Sequence, residues 1–192
     1  MKQAVAVFDR FASDYDRWFD THKAIYEGQL AAIRPHTTLH GRALEVGVGS
    51  GRFAVPLGIR YGLDPSRQLL AMARQREIEA IQGTGESLPY RSCTFDFVLM
   101  MTVICFMDTI DQPFQEACRV LHPGGTLVIG FIEMDGEIAR QERERTSPGR
   151  FLRFAKFRSA EEVRDSLIRA GFTGCNMRDN LHGLTLITSQ KK

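Results

Sequence analysis

The segment Leu44-Glu45-Val46-Gly47-Val48-Gly49-Ser50-Gly51 constrains the fold more than any other stretch of this chain. It reads as a buried strand that runs directly into three glycines at alternate positions. Glycines at such a turn let a ligand approach the backbone and let a following helix present its N-terminal amides to it. The spacing is G-x-G-x-G, with Glu45 ahead of it. The dinucleotide fingerprint is different: it wants a glycine where this chain has Arg52, and it carries no acidic residue just before its first glycine. Nineteen residues after Glu45 stands Asp64, at the end of a second strand over residues 59–64. A carboxylate at the tip of a neighbouring strand can accept hydrogen bonds from both hydroxyls of a ribose. Its competing role is that of a turn former ahead of Pro65.

Around this pair the text alternates. Phe8, Phe11, Tyr15, Trp18 and Phe19 recur at three- and four-residue spacings and predict one amphipathic helix over residues 8–20. A second helix is expected over 22–34, ending before Pro35. After the strand 42–47 and a short helical piece come the strand 59–64, a helix over 66–76 and strands over 78–82 and 95–101. A helix over 112–121 and a strand over 126–132 follow. Alternating β and α with nearly continuous apolar strands predicts a parallel sheet covered on both faces. Ser159 with Glu162 forms a capping box for a helix to Ala170, closed by Gly171, and two last strands over 172–178 and 183–189 suit a terminal hairpin.

Composition narrows the class. A chain of 192 residues, 43% hydrophobic and 25% charged, matches one globular domain with its own core. A net charge of +2 is too small for a general nucleic-acid coat. The cysteines at 93, 105, 118 and 175 form no C-x-x-C pair, which argues against a disulfide framework and a zinc site and for free thiols. The longest apolar run, 97–107, is too short to cross a membrane, and the N-terminal apolar stretch is too short for a signal peptide, so a cytoplasmic protein is expected.

Six motifs occur in order: Tyr15-Asp16; the glycine segment; Gly62-Leu63-Asp64-Pro65-Ser66; Gly83-Thr84-Gly85-Glu86-Ser87-Leu88-Pro89-Tyr90; Phe95-Asp96-Phe97-Val98; and Arg119-Val120-Leu121-His122-Pro123-Gly124-Gly125. In these the chain resembles the class I S-adenosylmethionine-dependent methyltransferases, especially their small-molecule branch. The resemblance implies a Rossmann-like α/β fold: a mostly parallel seven-stranded sheet, helices on both faces and a C-terminal antiparallel hairpin. It also implies one methyltransferase domain over 1–192, with an N-terminal helical cap over 1–40 and a substrate lid over 133–158. The cofactor implied is S-adenosylmethionine, leaving as S-adenosylhomocysteine. Carried over by position, Glu45, Gly47, Gly49 and Gly51 hold its methionine end and Asp64, followed by Pro65, its ribose. Gly85 and Glu86 lie beside the adenine, Met101 and Thr102 form the floor near the methyl group, and Tyr15 helps close the site.

The departures are informative. Thr84 stands where many relatives carry an aspartate that reads the adenine amino group, so recognition there falls to backbone groups or water, and Glu86 is alternatively a solvated loop carboxylate. Only seven residues separate Gly51 from Ile59, which predicts a short helix and a more open pocket. Cys105-Phe106 replaces a histidine pair of many relatives. Cys105 either packs in the core or, with Phe106 and Phe154, lines the acceptor pocket. His22, His36, His40, His122 and His182 show no metal spacing, and no metal is expected. Residues 140–158 hold seven basic side chains against Glu142 and Glu144, a local +5, with Phe151, Phe154 and Phe157 interleaved. This segment suits either a self-paired, solvated lid or a surface for anions and RNA phosphates.

The reading is therefore a methyltransferase acting on a small-molecule acceptor by in-line displacement. The alternatives are an RNA or protein methyltransferase using the basic segment, a non-catalytic cofactor-binding module and, third, a nicotinamide oxidoreductase. Asp108, Glu133 and His182 are candidate general bases, none of them placed by a motif. The acceptor atom and the oligomeric state are not encoded in these motifs, since loop side chains choose the acceptor.

Overall fold

The computed structural model of the protein describes residues 2–37, 41–181 and 183–192, without the side chains of residues 178–181. Three helices come first: α1 (Lys2–Arg10), α2 (Ala12–Thr21) and α3 (Lys23–Ile33). Then follow β1 (Ala43–Val46), β2 (Tyr61–Asp64), α4 (Arg67–Gln75), β3 (Glu79–Gln82), β4 (Phe95–Met101), α5 (Asp111–Val120) and β5 (Leu121–Phe131). The chain closes with α6 (Glu137–Glu144), α7 (Ala160–Ala170), β6 (Phe172–Leu181) and β7 (Leu184–Lys191). The strands form one seven-stranded sheet in the order β3-β2-β1-β4-β5-β7-β6. β1 to β5 pair in parallel, and β7 runs antiparallel to both β5 and β6.

The sheet is covered on both faces, as its apolar strands require. Along β4 successive residues enter opposite cores. Val98 and Met100 join Phe114, Val163 and Leu167 under α5 and α7, whereas Phe97, Leu99 and Met101 join Phe19, Ile33 and Leu70 under the N-terminal helices and α4. Full burial of such side chains contributes roughly 1.5–3 kcal/mol each. Ser159 caps α7, its Oγ accepting from the Glu162 amide at 3.1 Å, while the Glu162 carboxylate takes Arg158 at 2.7 Å, and Gly171 ends α7 at φ +100.

Three expectations are corrected. The predicted single helix over 8–20 is two helices, broken at Phe11 (φ −120, ψ 31). The break has a physical reason: Asp9 bonds the start of α4 while Asp16 and Phe19 pack towards the glycine turn, and one straight helix does not serve both directions. Between β1 and β2 no α-helix forms, only a single 3-10 turn at Val55–Leu57. Phe53 of this short connection packs against Phe19 and Tyr26 at ring distances of 5.8 and 5.4 Å. Finally, β5 begins at Leu121, five residues before the expected strand over 126–132. Leu121 pairs with Phe95 and Thr126 with Phe97, so the intervening residues bulge outward, with Gly124 at φ +77.

Candidate active site

The C-terminal ends of β1 and β2 meet at the glycine turn. The amides of Gly47 and Val48 both donate to the Leu63 carbonyl, at 2.7 and 3.0 Å. Gly47 and Gly49 have φ of +79 and +52, a region that costs other residues roughly 1–2 kcal/mol. A Cβ on Gly47 would collide with Val103, and one on Gly49 would press on the Tyr15 ring at 3.3 Å. Asp64 ties the turn to β2: its Oδ2 accepts from the Gly49 amide at 2.9 Å and its Oδ1 from the Ser66 amide at 2.8 Å. Each oxygen keeps a further lone pair. Burial pushes the Asp64 carboxyl up to about 6, the two amides pull it back in part, and Asp9 nearby adds to the rise.

Glu45 lies behind the turn, 1% exposed, with Oε2 buried and without a hydrogen-bond partner. Burial first, then Asp64, hold its carboxyl well above the usual range against a hydrogen bond from Ala54. Tyr15 is kept a phenol by burial and by the nearby carboxyls of Asp64 and Glu45.

Two aspartates of the N-terminal helices grip this cradle. Asp16 receives both Arg52 and Arg76 in paired hydrogen bonds of 2.8–2.9 Å, and Arg76 also donates to the Ser50 carbonyl at 2.6 Å. Asp20 takes the remaining face of Arg52. Burial opposes ionisation of Asp16, but the bonds from Arg52 and Arg76 outweigh it and hold the carboxyl well below its ordinary value. Arg52, which departs from the dinucleotide pattern, is thus a docking residue for α2. Asp9 reaches Ser66 and Gln68 at the start of α4.

These elements enclose a cavity of about 420 Å³ at the strand ends. Of the residues expected at the cofactor, Tyr15, Gly47, Gly49, Asp64, Pro65, Gly85, Glu86, Met101 and Thr102 line it. Thr102 has φ +50, held there by its amide bonding the Gly130 carbonyl at 2.7 Å. Such strain is characteristic of functional walls. Glu45 and Gly51 are not in the wall. Glu45 sits beneath the turn, and Gly51 (φ +86) faces Ala73 and Ile78 of the core.

Of the acceptor-side expectations only Phe106 lines the cavity. Cys105 is 1% exposed, its thiol bonded to the Thr102 carbonyl at 3.4 Å and pushed up to about 12 by burial, so it packs. Phe154 turns away under the Arg153 guanidinium, 4.7 Å from its ring. Its place in the wall is taken by Phe151, stacked on Phe8 at 4.9 Å, and by Leu152. Sequence reasoning missed Phe8, Phe151 and Val103 as wall residues, and it placed Trp18 only on the apolar face of a helix. Trp18 is in fact 38% exposed, stacks on His22 and lines the cavity. An apolar residue at helical spacing signals burial and does not distinguish a core from a pocket wall.

A sheet that places a glycine turn and an acidic strand tip side by side, at the mouth of a largely apolar cavity, defines a Rossmann-like nucleotide-ligand site. The methyltransferase-domain family model matches residues 44–129. A solved Thermotoga maritima structure, described as an S-adenosylmethionine-dependent methyltransferase and possible histamine N-methyltransferase, aligns with a TM-score of 0.90 at 33% identity. The alignment covers 97% of this chain and 99% of that one. The malonyl-[acyl-carrier protein] O-methyltransferase of Geobacter sulfurreducens is 30% identical over 90% of this chain and 70% of its own. An uncharacterized protein of Methanocaldococcus jannaschii is 40% identical over 86% of this chain and 80% of its own. An uncharacterized Mycobacterium tuberculosis relative, 38% identical, is covered over 62% of its length. The chain belongs to the S-adenosylmethionine-dependent methyltransferase family, and S-adenosylmethionine is the cofactor of that family.

Proposed function

We propose that this methyltransferase acts on a small-molecule acceptor held at the aromatic end of the cavity. The observation that carries the reading is the cavity itself. Its volume lies near the lower end of the roughly 300–1,000 Å³ usual for small-ligand sites. A cofactor and a small acceptor suit it better than a macromolecular segment. Two relatives are named for acceptors of different kinds, malonyl-[acyl-carrier protein] and, in a 28% identical Bacillus mycoides enzyme, demethylmenaquinone.

The residues fit the cofactor. Among the described residues the cavity wall holds no Lys, Arg or His, and its charged side chains are Asp14, Asp64 and Glu86. In the wall Glu86, and behind it Glu45, each bury an oxygen with no hydrogen-bond partner. A wall that carries acidic side chains and no basic one suits a cation. Bound S-adenosylmethionine supplies a methyl group activated on positively charged sulfur.

Asp64 takes the ribose hydroxyls on its spare lone pairs, beside Pro65. Gly47 and Gly49 admit the methionine end to the backbone, and Glu45 and Gly51 support that turn from behind. Gly85 and Glu86 flank the adenine. Met101 and Thr102 form the floor, and Tyr15 closes the site from α2. Residues 133–158 serve as a lid whose ends are joined, the Met134 amide donating to the Arg158 carbonyl at 2.9 Å and Ile138, Phe151 and Leu152 facing the cavity.

Catalysis in this reading rests on alignment and exclusion of water. Asp108 is bonded to Lys156 at 2.7 Å and Glu133 to the Asp135 amide at 2.7 Å, and neither lines the cavity. The third candidate base, His182, and also His40 lie outside the described residues.

Pairing of the basic segment with carboxylates outside it weighs against an RNA acceptor. Arg150 is held by Asp14 and lies over Phe11 at 4.2 Å, Lys156 is held by Asp108, and Arg158 by Glu162 at 2.7 Å. The test is calorimetric titration with S-adenosylmethionine and S-adenosylhomocysteine, followed by a small-molecule acceptor screen read as S-adenosylhomocysteine release. Cofactor binding with turnover of a small acceptor supports the reading, whereas binding with transfer only to RNA or protein overturns it.

A further inference from the structure

Asp9 belongs to none of the motifs, yet it joins the first helix to the loop that carries Asp64. Its Oδ1 accepts from Ser66 Oγ at 2.6 Å and from the Gln68 amide at 3.1 Å. Ser66 is 1% exposed and lines the cavity. Its amide donates to Asp64 Oδ1 at 2.8 Å, and its hydroxyl oxygen accepts from the Leu69 amide at 3.2 Å as the cap of α4. Two hydrogen bonds therefore connect α1 to the carboxylate at the tip of β2. A carboxylate against a helix N-terminus is also electrostatically favoured there, so the link is held from the α4 side as well.

We infer that Asp9 is a positioning residue for the cofactor: through Ser66 it fixes the Asp64 carboxylate, so that α1 governs ribose binding without touching the ribose. The inference rests on Asp64 being the ribose ligand, as proposed above. Asp9 also takes the Gln68 amide beside the Ser66 cap of α4, so the titration of Asp64 is what separates positioning from capping.

The charges around Asp64 supply a readout that a purely structural role would not move. Asp64 faces Asp9 from α1, Tyr15 from α2 and Glu45 from β1, and of these Asp9 adds a negative charge that raises the Asp64 carboxyl. Asp9→Asn keeps an acceptor oxygen for Ser66 and removes the charge. Asp9→Ala removes both. Ser66→Ala breaks the link and leaves the charge in place.

The experiment measures S-adenosylhomocysteine affinity by calorimetry from about pH 5 to pH 8, with thermal unfolding of each protein recorded alongside. In the wild type affinity should fall as pH drops through about 6, where Asp64 takes up a proton. In Asp9→Asn that acid limb should move to lower pH, with a loss of about two- to threefold at the upper end. Asp9→Ala should show the same displacement with a loss of about three- to tenfold. Ser66→Ala should weaken binding without moving the limb downward.

If both Asp9 variants unfold like the wild type and keep its acid limb and affinity, the inference is overturned. Should they fail to fold, Ser66→Ala decides it: unchanged affinity there also overturns it. A wild type that binds S-adenosylhomocysteine equally well with Asp64→Ala would instead sink the assignment of Asp64 itself.

Discussion

At the scale of single residues, the site depends on a carboxylate that is costly to bury and a glycine that cannot be replaced. Asp64→Ala removes two acceptors for backbone amides and those proposed for the ribose, and S-adenosylhomocysteine binding should weaken by roughly 1.5–3 kcal/mol in calorimetry. The folded Asp64 carboxyl lies at about 6, above its unfolded value, so it ionises only as pH rises past that point. Affinity should therefore climb between about pH 5 and 7 and then level off. Gly49→Ala would place a Cβ at φ +52 against Tyr15, and should cost about 1–2 kcal/mol of stability in thermal unfolding along with cofactor affinity. Both residues were legible in the sequence, because a strand ending in glycines and a neighbouring strand ending in an acid have few other physical uses. Cys105 took the packed role that its sequence allowed, but Phe154 was not legible, since nothing in a sequence tells which way a side chain leaves a single 3-10 turn such as Leu152–Phe154.

At the scale of elements, the N-terminal helices are fastened to the sheet by charge as well as by apolar contact. Asp16 has 11% of its side chain exposed, against 19% for Arg52 and 29% for Arg76. Asp16→Ala would leave Arg52 with Asp20 and Arg76 with the Ser50 carbonyl as their remaining partners, and should lower stability by about 2 kcal/mol, discounted from the cost of breaking a fully buried pair. The sign of the pH dependence follows from its lowered folded value. Its contribution is complete above the unfolded carboxylate range, about 4, and is lost as pH falls below that. Wild-type and Asp16→Ala unfolding temperatures should accordingly converge in acid. The same network explains why the helix break at Phe11 escaped the sequence reading. The apolar spacing over 8–20 is continuous, and the division arises from partners that lie far away in the chain.

At the scale of the whole molecule, residues 133–158, proposed above as a lid, meet the N-terminal helices at the cavity through Phe8 and Phe151 and through Arg150 with Asp14. Phe151→Ala should raise hydrogen exchange across residues 134–158 and leave β1 and β4 protected, because an aromatic pair contributes about 0.5–1.5 kcal/mol beyond its burial. Since three of the lid's cations are paired within the fold, RNA should show no retained binding at physiological salt in an electrophoretic shift. Retention there would favour the macromolecular acceptor.

The sequence by itself determined the succession of the seven strands, the parallel sheet with its terminal hairpin, and the strand ends where the glycine turn and Asp64 meet. These follow from local periodicity and from residue types that tolerate few conformations. Tertiary structure alone decided which aromatic side chains wall the cavity, that Arg52 and Asp16 lock the cap, and that Asp9 reaches Ser66. Those choices depend on distances between residues remote in the chain, and the pattern of apolar and polar residues along it does not encode them.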